Sequence, residues 1–464
     1  MELTGVDAAE WGRTSAIFAE AAEQLGQSPL RGLYPTGQGA RWTRIPSVRL
    51  ILSDDLKRNR LTVFFRLLLA IPHFIWLAVW GVGALLVAVA NWIATLIGGR
   101  SPRLLHIFLA CYIKYATQFY GYFYLAANPY PPFDGRAGYP VDVTIEPPQS
   151  QRRWTVALRG ILALPALLLF WTLAGSPGFG TRRRAGATSY TLYGGGLLHT
   201  VALVGWFASL ARGMLSRGLR DAAAYALSYG AQVWAYVFLL TDRYPNSDPL
   251  LVLPELPARD HPIGLAVRDD LRRSRLTVFF RLPLAFPHLV WLTLWAVLAL
   301  IAAVANWLST LLAGRSPAAL QRFLTRFLRY SVHVYAFLYL TANPFPGFVG
   351  VPGSYPVEAV IAQRREQSRL KVAFRIVLAL PALLIGSAYS TLMTSAAIVG
   401  WFAALATGRM PRGLRNASAL ALRYTAQTSA YLLLLGDAYP YSGPYSLAAP
   451  STDPPAAEAA PALG

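Results

Sequence analysis

At 464 residues the chain would suit about three soluble domains, yet 55% of it is hydrophobic, 14% is charged and its mean hydropathy is +0.39. Several apolar runs exceed the ~20 residues that cross a bilayer as a helix, which excludes ordinary soluble domains and predicts an integral membrane protein. Forty-two Lys and Arg against 22 Asp and Glu give a formal charge of +20, clustered at segment ends, where it sets orientation and meets acidic headgroups rather than nucleic acid. Cys111 is the only cysteine, so no disulfide within the chain, CxxC pair or thiolate zinc site is possible.

Residues 1–45 have no apolar signal-peptide core after a basic start. Their mixture of Val6, Trp11, Ile17, Phe18 and Leu25 with Glu10, Glu20 and Glu23 predicts a modest surface helix, most simply cytoplasmic.

The stretch from Leu61, LTVFFRLLLAIPHFIWLAVWGVGALLVAVANWIATLIGG, returns from Leu276 at a constant offset, 276 − 61 = 215. Weaker copies begin at Trp154 and Leu370. The chain is a fourfold repeat, built as a pair that was then duplicated. It divides into a cytoplasmic segment 1–45, membrane repeats at 46–138, 139–254, 255–354 and 355–445, and a low-complexity tail at 446–464 expected to be disordered.

Each repeat opens with a short alternating stretch bounded by Pro. In the second, Val141, Val143 and Ile145 fall on one face and Asp142, Thr144 and Glu146 on the other, which is strand periodicity. A basic leader follows, then the apolar run. One Arg sits inside that run in every copy, at Arg66, Arg159, Arg281 and Arg375, six residues before Pro72, Pro165, Pro287 or Pro381. These guanidinium groups face an anionic ligand or headgroup, or they snorkel from the first turns of an interfacial helix.

A run of 39 residues from Leu61 would reach ~58 Å as one helix, against a hydrocarbon core of ~30 Å. In the second repeat 206 − 165 = 41 residues separate Pro165 from Trp206, where 92 − 72 = 20 separate Pro72 from Trp92, so 21 residues have been inserted. That predicts two helical pieces per run, A1 and A2, breaking at 79–83 in the first repeat. A basic loop with Gly and Pro then leads to a third helix, B, from about Arg103 to Ala127, with equivalents near 217–241, 318–342 and 412–436.

Helix B carries a recurrent polar pattern. Tyr115, Tyr229, Tyr330 and Tyr424 share one column, preceded by Lys114, Ser228, Arg329 and Arg423. Three residues after each Tyr stand Gln118, Gln232, His333 and Gln427. Such groups form either a polar, aromatic-lined pocket for an anion or lipid headgroup, or a network that joins helices. His73 and His288 have no carboxylate or second His at ligand spacing, so a structural role is expected and no metal or cofactor is implied.

The expected fold is an all-α polytopic membrane protein of four tandem helical repeats. Each repeat has a short β-strand leader, an interfacial or re-entrant helix and two transmembrane helices. Eight spans leave all four strands, free to pair, and both termini on the cytoplasmic side; twelve would invert alternate repeats.

These residues resemble the bacterial domain of unknown function 4389. The resemblance rests on Ile71–His73, on GRMPRGL at Gly408–Leu414 and on the close at Asp242–Pro245, and covers residues 46–445. The first and third copies depart at the close, with Asn128-Pro129 and Asn343-Pro344. The resemblance implies a small bacterial membrane module and carries no activity or functional residues.

No G-x-S-x-G, H-E-x-x-H or P-loop pattern is present, so catalysis is not expected. A non-catalytic membrane scaffold or interaction module that contacts the lipid bilayer and its anionic headgroups, with no nucleic acid as partner, is the reading preferred over a transporter or channel for a small, anionic substrate.

Overall fold

The structure, a computed structural model, describes residues 47–175, 196–252, 261–362 and 366–445, together with the backbone of 181–184 and 187–190. The expectations for segment 1–45 and for the tail 446–464 lie outside these residues.

The first repeat comprises β1 (Val48–Leu52), α1 (Arg60–Phe64), α2 (Arg66–Gly98) and α3 (Arg103–Phe123). The second has β2 (Val141–Ile145), α4 (Arg153–Ala157) and α5 (Arg159–Ala174). A hairpin of β3 (Thr181–Arg184) and β4 (Ala187–Tyr190) follows, then α6 (Leu197–Arg212) and α7 (Arg217–Val237). The third holds β5 (Ile263–Val267), α8 (Arg275–Phe279), α9 (Arg281–Ala313) and α10 (Ala318–Leu338). The fourth holds β6 (Val357–Ile361), α11 (Arg369–Ala373), α12 (Arg375–Thr407) and α13 (Arg412–Leu432).

The expected break at 79–83 is absent. In repeats one, three and four the apolar run after its Arg is one continuous 33-residue helix. Gly81 and Gly83 do not break it; they lie against Tyr112 and Phe108 of α3, whose side chains come within 3.2 and 3.6 Å of where a Cβ would stand. The insertion in repeat two therefore marks where a loop can be accommodated. The bend lies earlier, at Phe65, Leu158, Phe280 and Phe374, where ψ swings to between 8° and 14° and separates a five-residue helix from the long one. Pro72, Pro287 and Pro381 are carried inside their helices. Repeats one, three and four are thus a short helix, one long helix and helix B; only in the second repeat does the apolar run form the two expected pieces, α5 and α6.

Each long helix ends at a glycine with positive φ, 69° at Gly99 and 70° at Gly408. This left-handed geometry costs glycine little and turns the chain into helix B. The turns are gripped reciprocally within pairs of repeats. Arg58 N donates to Gly213 O at 2.9 Å and Gln151 N to Gly99 O at 2.8 Å. Arg273 N and Gln367 N repeat these bonds to Gly408 and Gly314. Trp206 Nε1 reaches Val63 O and Trp92 Nε1 reaches Val156 O, each at 3.0 Å. Repeats one and two therefore interlock, as do three and four.

The strands pair across the same partnership, β1 with β2 and β5 with β6, both antiparallel. Val48, Leu50, Val141 and Val143 form the buried face of the first sheet, while Arg49, Ile51 and Thr144 are exposed. That alternation is what period-2 side chains produce when one face is covered.

Three layers result. The first sheet lies over α3 and α7, and the second over α10 and α13. On the other side of these B helices lie the long apolar helices, with α12 packed against both α5 and α6 to join the two halves. The core sits in the middle layer, where α7 and α13 are buried along most of their length.

Candidate lipid-contact surface and the clamps behind it

Helix α2 offers the core a single stripe, Arg66, Ala70, His73, Leu77, Ala84, Asn91 and Thr95. Steps of three, four and seven residues keep that stripe on one side of the helix. The remaining surface is exposed and apolar, with Leu68 at 62%, Leu86 at 68% and Ile97 at 71%. Between Arg66 and Arg100 there is no charged residue. Helix α9 repeats the pattern residue for residue, with Arg281, Ala285, His288, Leu292, Ala299, Asn306 and Thr310 buried. An uninterrupted apolar exterior of this size is not stable against water, and it marks a contact surface.

The four repeated arginines are turned inward. Arg66, Arg159, Arg281 and Arg375 are all buried, each at the C-terminal end of a B helix. Arg66 donates to Tyr122 O and to Ala127 O at 3.2 Å, and reaches Asn128 Oδ1 at 3.3 Å. Arg281 repeats this with Phe337 O, Ala342 O and Asn343 Oδ1. In the even repeats the partner is charged, Arg159 to Asp242 at 3.0 Å and Arg375 to Asp437 at 3.2 Å. Each guanidinium also lies over an aromatic ring of helix B, 4.3 Å from the Tyr122 centroid and 4.0 Å from that of Tyr236.

Eight residues before each Arg stands a second grip. B helices end at Leu125, Leu239, Leu340 and Leu434, all with φ between 60° and 66°, a conformation costing a branched residue roughly 1–2 kcal/mol. The carbonyl this exposes is held by Arg58 Nη2 at 2.7 Å, by Gln151 and Gln367 Nε2 at 2.5 Å, or by Arg273 Nη2 at 2.9 Å. Arg58 and Arg273 are in turn fixed by Asp54 and Asp269. Four clamps thus satisfy helix-end carbonyls that would otherwise be orphaned in a water-poor setting. The clamps rest on loop geometry, so only the recurrent spacing of Arg58/Arg66 and Gln151/Arg159 could have signalled them in the sequence.

The polar column of helix B is divided among different partners. Lys114 pairs with Asp142 of β2 at 3.3 Å, and Gln118 donates to the same carboxylate at 3.2 Å. Arg329 and His333 both meet Glu358 of β6. Arg423 instead donates to Tyr441 O at 3.1 Å and Gly443 O at 2.6 Å, 3.8 Å from the Tyr445 centroid. Gln427 donates to Ile263 O at 2.8 Å. These groups tie strands and loops to helix B and do not converge on one cavity.

The tyrosines point elsewhere, towards the long helices. Tyr115 shares a 2.7 Å hydrogen bond with His73 Nδ1, and Tyr330 a 2.8 Å bond with His288. Tyr229 donates to Ala166 O at 3.3 Å, and Tyr424 packs against Tyr389. Asn91, marked in the sequence only by its constant offset to Asn306, donates to Phe238 O at 2.8 Å and accepts from Ser101 Oγ at 2.7 Å. Asn306 does the same with Leu433 and Ser316. Among the described residues no group of three His, Cys, Asp or Glu is placed to hold a metal ion.

Fold and surface together define a mostly helical protein of tandem hairpins, and among the described residues three helices are long and apolar enough to cross a membrane. The chain belongs to the family described as Domain of unknown function (DUF4389), whose model matches residues 60–134, 275–349 and 369–442. The second repeat, which carries the 21-residue insertion, lies outside the matched regions. No curated protein and no solved structure matches the chain.

Proposed function

We propose that the protein is a non-catalytic scaffold of the cell membrane whose long apolar helices contact lipid. One observation carries this: outside their one buried stripe, the helices from Leu67 to Ile97 and from Leu282 to Leu312 expose apolar side chains along their whole length, with no charged residue among them. In hydrocarbon those side chains are at home, and the basic residues at the helix ends meet anionic headgroups. The termini then lie on the cytoplasmic side, where the basic leaders also reside. The transport alternative required polar columns lining a path. Lys114, Arg329 and Arg423 are already engaged with Asp142, Glu358 and loop carbonyls, which favours the scaffold.

The reading is tested by comparing the full chain with Leu86→Lys, at a position 68% exposed. In water this change is nearly neutral; in the hydrocarbon interior it costs about 2–3 kcal/mol. The wild-type chain should float with vesicles after carbonate washing, and the variant should be depleted from them. A wild-type chain that stays in the carbonate supernatant, fully folded, would refute membrane embedding.

A further inference from the structure

We infer that the long apolar helices lie in the plane of the membrane, within the acyl chains of one anionic leaflet, and that the B helices and sheets sit above them on the aqueous side. This rests on the membrane reading and specifies how the chain meets the lipid.

Length is the first reason. At ~1.5 Å per residue, the 33 residues of α2 extend ~50 Å, and their exposed face is apolar to both ends. To fit a hydrocarbon core of ~30 Å such a helix would tilt by more than about 50°, beyond the ~0–40° range of spanning helices. A helix lying flat meets no such limit.

The strands supply the second reason, independently. β2 runs antiparallel along α3, from Val141 against Gly121, through Asp142 at Gln118, to Glu146 O at 3.1 Å from His106 Nε2. β1 follows α7 in the same way, with Ser47 bonded to Thr241 and Asp54 O to Arg220. If these helices crossed the bilayer, a two-stranded sheet with open edges and the exposed Arg49 would cross beside them. Open edges are not tolerated in hydrocarbon, where nothing replaces their missing hydrogen bonds. With the layers parallel to the membrane, the sheet faces water.

Charge supplies the third. Exposed Lys57 and Arg60 stand at one end of α2 beside Arg212, and exposed Arg100 stands at the other beside Arg152 and Arg153. Both ends are basic, as a rim resting on one anionic headgroup layer requires.

The test uses the full chain with Cys111→Ser, which removes its only cysteine. Asn59→Cys and Arg103→Cys then place single thiols near opposite ends of α2. In cells expressing these variants, neither should react with an impermeant maleimide until the membrane is permeabilised, and both should react afterwards. One end reacting in intact cells would overturn the in-plane arrangement while leaving membrane embedding intact. A chain that does not float with membranes would overturn both. Depth supplies a second measurement. Leu68, Val82 and Ile93 are all exposed and nearly aligned on one face at 100° per residue. Probes on Leu68→Cys, Val82→Cys and Ile93→Cys should be quenched equally by lipids carrying a quencher at a fixed depth. A strong maximum at residue 82 alone would indicate crossing and sink the inference.

Discussion

Arg159 and Asp242 form an ion pair at 3.0 Å, and the residues in the same places one repeat earlier are Arg66 and Asn128, 3.3 Å apart. The Asn-Pro and Asp-Arg closes of alternate repeats are therefore one position with two chemistries. Where Gln151 supplies the neighbouring grip, the close is acidic; where Arg58 supplies it with its own Asp54, the close is neutral. The even clamp is therefore neutral, with Arg159 against Asp242, while the odd one carries a single net positive charge, with Arg58 and Arg66 against Asp54.

The clamp sets the first prediction. Asp242→Asn keeps an acceptor for Arg159 and should cost under about 1 kcal/mol, whereas Asp242→Leu leaves the guanidinium the Tyr236 ring and Gln151 as its one hydrogen-bond acceptor and should cost about 1–3 kcal/mol. Thermal unfolding in detergent or lipid measures both. Equal losses would show that hydrogen bonding at this position is unimportant.

The cations of helix B should differ in their tolerance of replacement. Lys114 is partly exposed, and Asp142 keeps Gln118 and the Val143 N–H without it, so Lys114→Met should cost about 1 kcal/mol. Arg423 is 1% exposed and binds two loop carbonyls. Arg423→Met should cost about 2–4 kcal/mol, since two buried carbonyls lose their donor. Denaturation of the two variants side by side ranks them, and the reverse order would contradict the partner assignment.

Asp248 joins the two halves, accepting from Asn416 Nδ2 at 2.8 Å and Leu250 N at 3.0 Å. Burial pushes its pKa above the ordinary carboxylate value, outweighing those hydrogen bonds and the nearby Arg412. The folded state therefore binds the proton more tightly than the unfolded chain. Stability from this group is full below the ordinary carboxylate pKa and falls as pH rises through the raised one. Relative to Asp248→Asn, which cannot titrate, the wild type should gain stability on acidification from neutral pH. A difference independent of pH would count against a buried, titrating Asp248.

Several features were legible because they are local. The strand at Val141–Ile145 follows from period-2 alternation, helix B from its apolar spacing and Gly-Pro start, and the duplication from a constant offset. The exposed apolar surface was legible too, as a run of residues with no charge. What those runs do was not: the break expected at 79–83 came from the ~30 Å hydrocarbon limit on a crossing helix and from the insertion in the second repeat, whereas the first, third and fourth repeats run through that point as single 33-residue helices.

The sequence by itself determined where the strand leaders and the B helices lie, and that Arg66, Arg159, Arg281 and Arg375 occupy one recurrent place, because backbone preference and side-chain period act over a few residues. Only the tertiary structure decided which way those arginines face. Arg66 meets Ala127 and Asn128 more than 60 positions away, and a buried guanidinium is stable only where carbonyls, an amide or a carboxylate and an aromatic face converge from separate elements. The same convergence separated Lys114 from Tyr115, sending one to a strand and the other to His73, since neighbours on a helix diverge by ~100° and each finds its partner on a different layer.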